Sequence, residues 1–250
     1  MFATDPPPTP WDLHFHLFRI PVRIHPFFWL VSLLLGLSAR EPIALVVWMV
    51  AVFVSILVHE LGHAAVMRSF GYYPSITLYA MGGLASYGPA AFGARNPGTL
   101  GQIAIAAAGP ATAFAIAGLL YAALTAAGYP VITFVGLPFG MLVFVPAIVV
   151  SRALTLFIND LLLISVLWGI LNLLPIYPLD GGHIAREVLV RVNPAEGARW
   201  SLMISFVTAG LLAVFAAVRL QDYFAAVFFG YLAYVSYATL AFYSTRGRWW

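Results

Sequence analysis

Apolar runs long enough to cross a bilayer, separated by short breaks rich in arginine, proline and glycine, occupy most of this 250-residue chain. They predict spanning helices over about residues 26–37, 43–67, 100–126, 154–174, 200–218 and 223–243. Three stretches follow other patterns. Trp11 to Ile24 alternates apolar and polar residues and is broken by Pro21, which predicts an extended segment at the membrane interface. Ile76 to Tyr79 and Leu84 to Tyr87 flank Gly82 and Gly83 and read as two short strands. Pro130 to Val150 is apolar but interrupted by Gly136, Pro138, Gly140 and Pro146, so it is expected to re-enter or lie in the membrane against other helices. Ile184 to Val192 has the pattern of a short amphipathic helix. The fold class expected is an all-α polytopic membrane protein, with about six transmembrane helices and a small membrane-associated β hairpin or sheet after the second. The chain is expected to form one domain over 1–250. It comprises an interfacial segment (1–24), a core (25–192) and two C-terminal transmembrane helices (197–250).

Composition supports the membrane reading. Hydrophobic residues make up 62% and charged residues 8%, with mean hydropathy +0.95, against about 25% charged residues in soluble domains. The net charge is +3, but every basic residue is arginine and most lie between apolar runs. Membrane orientation explains them better than nucleic-acid binding. With six spans and a cytoplasmic N-terminus, Arg19, Arg23, Arg68, Arg95, Arg186, Arg191, Arg199, Arg246 and Arg248 fall inside. Arg40, Arg152 and Arg219 fall outside. The first residues lack the basic start and apolar core of a cleaved signal, so the first span is expected to stay in the mature protein. No cysteine is present, which excludes disulfides and thiolate metal ligands.

Within the second span stands His59-Glu60-Leu61-Gly62-His63. Histidines four apart on a helix share a face. They can hold one zinc ion, with the intervening glutamate as general base. A catalytic zinc needs a third protein ligand and an open fourth position. Asp160 lies near the outer end of the fourth helix, far in depth from the histidines. Asp180 lies just past the inner end, after Pro175 and Pro178 and before Gly181-Gly182, at a depth that His63 can share. Asp180 is therefore the expected third ligand and Glu60 the expected base. An unpaired carboxylate in a membrane is costly, and polar residues there are functional by default.

The chain resembles the site-2 protease family of intramembrane zinc metalloproteases (peptidase family M50). The resemblance rests on His59-Glu60-Leu61-Gly62-His63 and on Asn172-Leu-Leu-Pro175-Ile-Tyr-Pro178-Leu-Asp180-Gly181-Gly182. Gly82-Gly83 and Ala108-Gly109-Pro110 also look like the family, and the similarity covers most of Val22 to Val192. It implies that one zinc is bound by His59, His63 and Asp180, with Glu60 catalytic. It implies hydrolysis of peptide bonds in or near transmembrane segments of protein substrates, in regulated proteolysis. It further implies that the strands around Gly82 and Gly83 hold a substrate extended beside the active site. The same motif match favours Asn172 as a substrate contact or oxyanion support over polar glue between helices. Two features depart from the family. Ala113 stands where members often carry Asn, so a polar helper is either missing or replaced by Thr112, and the spans leave no room between them for a PDZ or CBS domain. The chain reads as a minimal catalytic core, with the lipid bilayer and a regulatory membrane protein as further partners and no nucleic acid. Its active-site side is expected to be cytoplasmic. The residues fix neither the substrate nor the oligomeric state.

Other histidines read more plainly. His14 and His16 alternate on an extended segment and are expected at the interface. His183 is expected at the surface or behind Asp180. The competing functions are a catalytically silent relative that binds transmembrane segments, which the intact Glu60 opposes, and a metal transporter. A transporter would need polar residues along a path through the bilayer.

Overall fold

The structure, a computed structural model, describes residues 6–39, 41–136 and 140–246. The sequence readings at residues 1–5, Arg40, Pro138 and Arg248 lie outside them. Among the described residues, seven α-helices and six strands run in the order β1 (Leu13–Leu17), β2 (Ile20–Ile24), α1 (Pro26–Leu35), α2 (Pro42–Ser69), β3 (Ser75–Tyr79), β4 (Gly82–Ser86), α3 (Gly98–Ala126), β5 (Ile132–Gly136), β6 (Gly140–Phe144), α4 (Arg152–Asn172), α5 (Asp180–Val192), α6 (Gly197–Phe215) and α7 (Tyr223–Arg246). Five of these helices are long and apolar enough to cross a membrane: α2, α3, α4, α6 with the π-helical turn Ala216–Leu220 that extends it, and α7. The sixth predicted span is α1, whose 10 residues reach only about 15 Å, half of a hydrocarbon core. Pro26 sets its first turn. The His25 ring caps it by accepting from the Phe27 N–H at 3.2 Å. It stops at Gly36, which lies so close to Trp48 that a Cβ there would come within 2.5 Å of the indole.

The chain packs as two compact units, residues 6–96 with 108–170 and residues 97–107 with 171–246. The first unit holds a four-stranded sheet in the order β1-β2-β3-β4. The strands predicted around Gly82 and Gly83 are β3 and β4. The glycines open β4, and the two-residue loop is Ala80-Met81. The N-terminal segment is more than an extended interfacial stretch: it folds into the β1–β2 hairpin, and β2 pairs parallel with β3 through Val22↔Ile76 and Ile24↔Leu78. Local pattern gives strand propensity but not partners 54 residues away, which burial decides. Val22, Ile24, Ile76 and Leu78 form one apolar face, packed with Phe28, Val52, Ile56 and Leu57 of α1 and α2.

The hairpin is tied down by charge. Arg23 donates to Asp12 at 3.0 Å, and Thr9 donates to the same carboxylate through its hydroxyl (2.6 Å) and its N–H (3.2 Å). Burial pushes the Asp12 carboxyl upward, but the Thr9 hydrogen bonds and the Arg23 guanidinium outweigh it and hold it below the usual carboxylate value. A lowered folded-state pKa contributes stability above the unfolded value near 3.8, and that contribution is lost as pH falls through the folded value. Asp12→Asn is therefore expected to lower the thermal midpoint by roughly 2–4 °C at pH 7. The gap from wild type should close below pH 3.8 in a pH series of unfolding curves.

Pro130 to Val150 does not form a helix. It contributes the antiparallel β5–β6 hairpin, in keeping with its glycines and prolines. Asn159 of α4 clamps the exit of that hairpin, accepting from the Val145 N–H at 2.7 Å and donating to the Val145 carbonyl at 3.1 Å. This amide satisfies backbone groups that lipid could not. Val145 and Val149 then pack with Ala117 and Leu124 of α3 and Ile158, Leu162 and Val166 of α4. In the second unit, α5 packs on α6 and α6 on α7, with Leu202, Ala209, Phe229, Leu232 and Val235 buried.

Candidate metal centre

Helix α2 carries His59, Glu60 and His63, all at least nine-tenths buried (1%, 4% and 6% exposed). His59 lies about 26 Å along a helix of about 42 Å at the standard rise, which places the motif in its later part. The two imidazoles stack edge to face with centroids 4.9 Å apart, as the four-residue spacing requires.

Helix α3 closes on this face of α2. At Gly62, a Cβ would meet Thr112 Oγ1 and would lie 2.5 Å from the Ala108 carbonyl oxygen, so only glycine lets the two backbones approach this closely. Gly109 is the more telling position. A Cβ built there would run into His63 Nε2 and would lie 2.5 Å from His59 Nε2. Both Nε2 atoms therefore converge on one small space, kept open because residue 109 has no side chain. Thr112 is the polar residue beside this crossing, and its hydroxyl donates to Ala108 of its own helix at 2.7 Å. Ala113 is buried.

Strand β4 closes on the glutamate. A Cβ at Gly83 would collide with Glu60 Cγ and Oε1, so the carboxylate lies directly against the strand backbone. Gly82 has φ +112, a conformation that side chains avoid, and a Cβ there would be 2.5 Å from the Trp168 ring. The glycine pair thus has two separate structural reasons: positive φ with Trp168 for Gly82, and the Glu60 side chain for Gly83.

Asp180 is the first residue of α5, where unpaired helix N–H groups favour an acidic side chain. Gly181 and Gly182 press onto the loop that precedes them. A Cβ at 181 would strike the Leu173 and Leu174 carbonyls, and one at 182 would lie 2.6 Å from Ile176 C and Tyr177 N. His59 and His63 belong to the first unit and Asp180 to the second. The two imidazoles, with both Nε2 atoms aimed at the Gly109 space, offer two of the three protein ligands that a catalytic zinc takes beside its open position.

The other residues singled out by sequence take simpler positions. Asn172 is buried at the last residue of α4. His14 and His16 are exposed on β1. His183 is exposed, with its ring 5.7 Å from that of Tyr177. In the sequence, Gly109 stands out only as part of the family-like Ala108-Gly109-Pro110. Its place opposite both imidazoles could not be found without knowing which face of α3 meets α2.

The fold and site together define a multi-pass membrane protein with a buried His-Glu-x-x-His helix. The model of peptidase family M50 matches residues 47–214, and the chain belongs to that family. Among its relatives is Rip3 of Mycobacterium tuberculosis, which carries the name of a zinc metalloprotease. It is 37% identical over 174 residues, covering 66% of this chain and 38% of Rip3. The zinc metalloprotease MJ0392 of Methanocaldococcus jannaschii is 28% identical over 184 residues, covering 70% of this chain and 44% of that protein. The chain thus spans about two fifths of the length of the curated relatives it matches. In fold it is similar to the solved site-2 protease from Methanocaldococcus jannaschii. The TM-score is 0.57 and the identity 23%, with 92% of this chain and 95% of that one covered.

Proposed function

We propose that this protein is a zinc-dependent intramembrane endopeptidase that hydrolyses peptide bonds in or near transmembrane segments of membrane-protein substrates. The observation that carries this reading is the convergence of His59 Nε2 and His63 Nε2 on the space beside Gly109, next to the buried Glu60. His59, His63 and Asp180 would hold the ion, which when bound would supply Lewis-acid polarisation of the scissile carbonyl and a water of pKa about 7. Glu60 takes a proton from the attacking water and later delivers it to the leaving amine. Its position against Gly83 keeps the carboxylate in place for both transfers.

A substrate helix must unwind before its peptide bond can be attacked. Strand β4 ends the order β1-β2-β3-β4, and a substrate segment added along it runs extended past Glu60. Gly82 and Gly83 open this strand and contact the substrate backbone along it, and Asn172 supplies an amide to the substrate backbone. With the five long helices as spans, Arg68, Arg95, Arg186, Arg191 and Arg199 fall on the face where α2 and α4 end, against Arg152 and Arg219 on the other, which supports a cytoplasmic active-site face. The N-terminal hairpin, paired to β3, goes with it. Substrates of this kind place the protein in regulated intramembrane proteolysis, in the company of a regulatory membrane protein.

Metal stoichiometry tests this reading directly. Wild type purified in detergent is expected to carry about one zinc per chain and Asp180→Ala far less, measured by elemental analysis. Folded wild type that takes up no zinc when supplied with it would remove the peptidase reading.

A further inference from the structure

The C-terminal helices α6 and α7 carry three buried serines, Ser201, Ser205 and Ser236, which the proposed chemistry does not use. Two of them hold the loop that leads to Asp180. The Tyr177 N–H donates to Ser205 Oγ at 3.1 Å, and Ser236 Oγ donates to the Tyr177 carbonyl at 3.3 Å. Ser205 Oγ also lies 3.2 Å from the Pro175 carbonyl and 2.8 Å from the Ser201 carbonyl. Both backbone groups of Tyr177 are thus fixed by side chains from two different helices.

The loop needs such partners. Pro175 and Pro178 have no N–H, so Leu173 to Leu179 cannot continue α4 as a helix, and apolar surroundings offer no water to replace lost hydrogen bonds. The position of this loop sets that of Asp180. Leu179 N–H donates to the Ile176 carbonyl at 2.7 Å, and Gly181 and Gly182 lie against the backbone of residues 173–177 with no space for a Cβ. Moving Tyr177 therefore moves the start of α5 and the carboxylate with it.

We infer that Ser205 and Ser236 are positioning residues for the metal site: they act through the Tyr177 backbone to place Asp180. The inference rests on the reading of Asp180 as a zinc ligand. It gives the two C-terminal helices a role in the chemistry, although the ligands and the base lie on α2 and α5.

The test is zinc affinity of the full chain in detergent, by competition with a chelator, beside the thermal midpoint of the metal-free protein. Ser205→Ala and Ser236→Ala are each expected to weaken zinc binding about 10–100-fold, the usual effect of losing a group that orients a ligand. Their metal-free midpoints should stay close to that of Thr239→Val. That control loses a hydroxyl on α7 bonded only to the Val235 carbonyl of its own helix, and it should bind zinc as wild type does. Ser236→Ala removes a single bond and carries the test alone if Ser205→Ala is not recovered folded. Wild-type affinity in the serine variants, together with lost affinity in Asp180→Ala, overturns the inference and leaves the ligand reading intact. Wild-type affinity in Asp180→Ala overturns the ligand reading, and the inference falls with it.

Discussion

Glu60→Gln is expected to reduce peptide-bond hydrolysis by about 10²–10⁴-fold, the usual contribution of a positioned general base, while bound zinc stays near one per chain. Glutamine keeps the size and shape of the side chain and loses only the ability to take a proton. The side chain is buried against the Gly83 backbone, so the amide should occupy the same place without disturbing His59 or His63. Cleavage of a reconstituted transmembrane substrate, measured beside zinc content, separates the two effects. Undiminished cleavage in Glu60→Gln would show that another group serves as base. Equal loss of zinc and activity would mean that the carboxylate supports the metal site instead.

The second large effect is expected at Gly109. A methyl group there must displace both imidazoles, because His63 Nε2 and His59 Nε2 occupy the space that its Cβ would fill. Gly109→Ala should weaken zinc binding by at least about 100-fold, at the top of the 10–100-fold range seen for lost outer contacts or beyond it, because two direct ligands shift. The overpacking costs about 1–3 kcal/mol of stability by itself, so a metal-free sample provides the baseline. The neighbouring Ala108→Gly adds no atom to this space and should retain zinc. Unchanged affinity in Gly109→Ala would show that the rings can turn elsewhere and still hold the ion.

The likeness to relatives is informative at the level of family and fold. The proposed residue roles rest on the site itself: which side chains converge, what surrounds them and what each can do with a proton.

Much of this protein was legible before any coordinates. Long apolar runs determine helices that cross a membrane, because hydrocarbon leaves backbone groups no partner but their own helix. The His59–His63 spacing determines a shared helical face, because 3.6 residues make a turn. The Pro175 and Pro178 pair determines a break before Asp180, because proline lacks the N–H that a helix requires. These are local consequences of covalent structure and solvent, and the sequence alone carried them. What lay beyond it was set by contacts between distant segments. The pairing of β2 with β3 comes from burying Val22 against Ile76. The glycine at the end of α1 is there because Trp48 leaves no space for a side chain, and the meaning of Gly109 and Gly83 comes from which atoms approach them. The bracing of Tyr177 by Ser205 and Ser236 joins residues 28 and 59 positions apart. No local pattern encodes such distances, and only tertiary packing, where close approach excludes all but one arrangement, decided them.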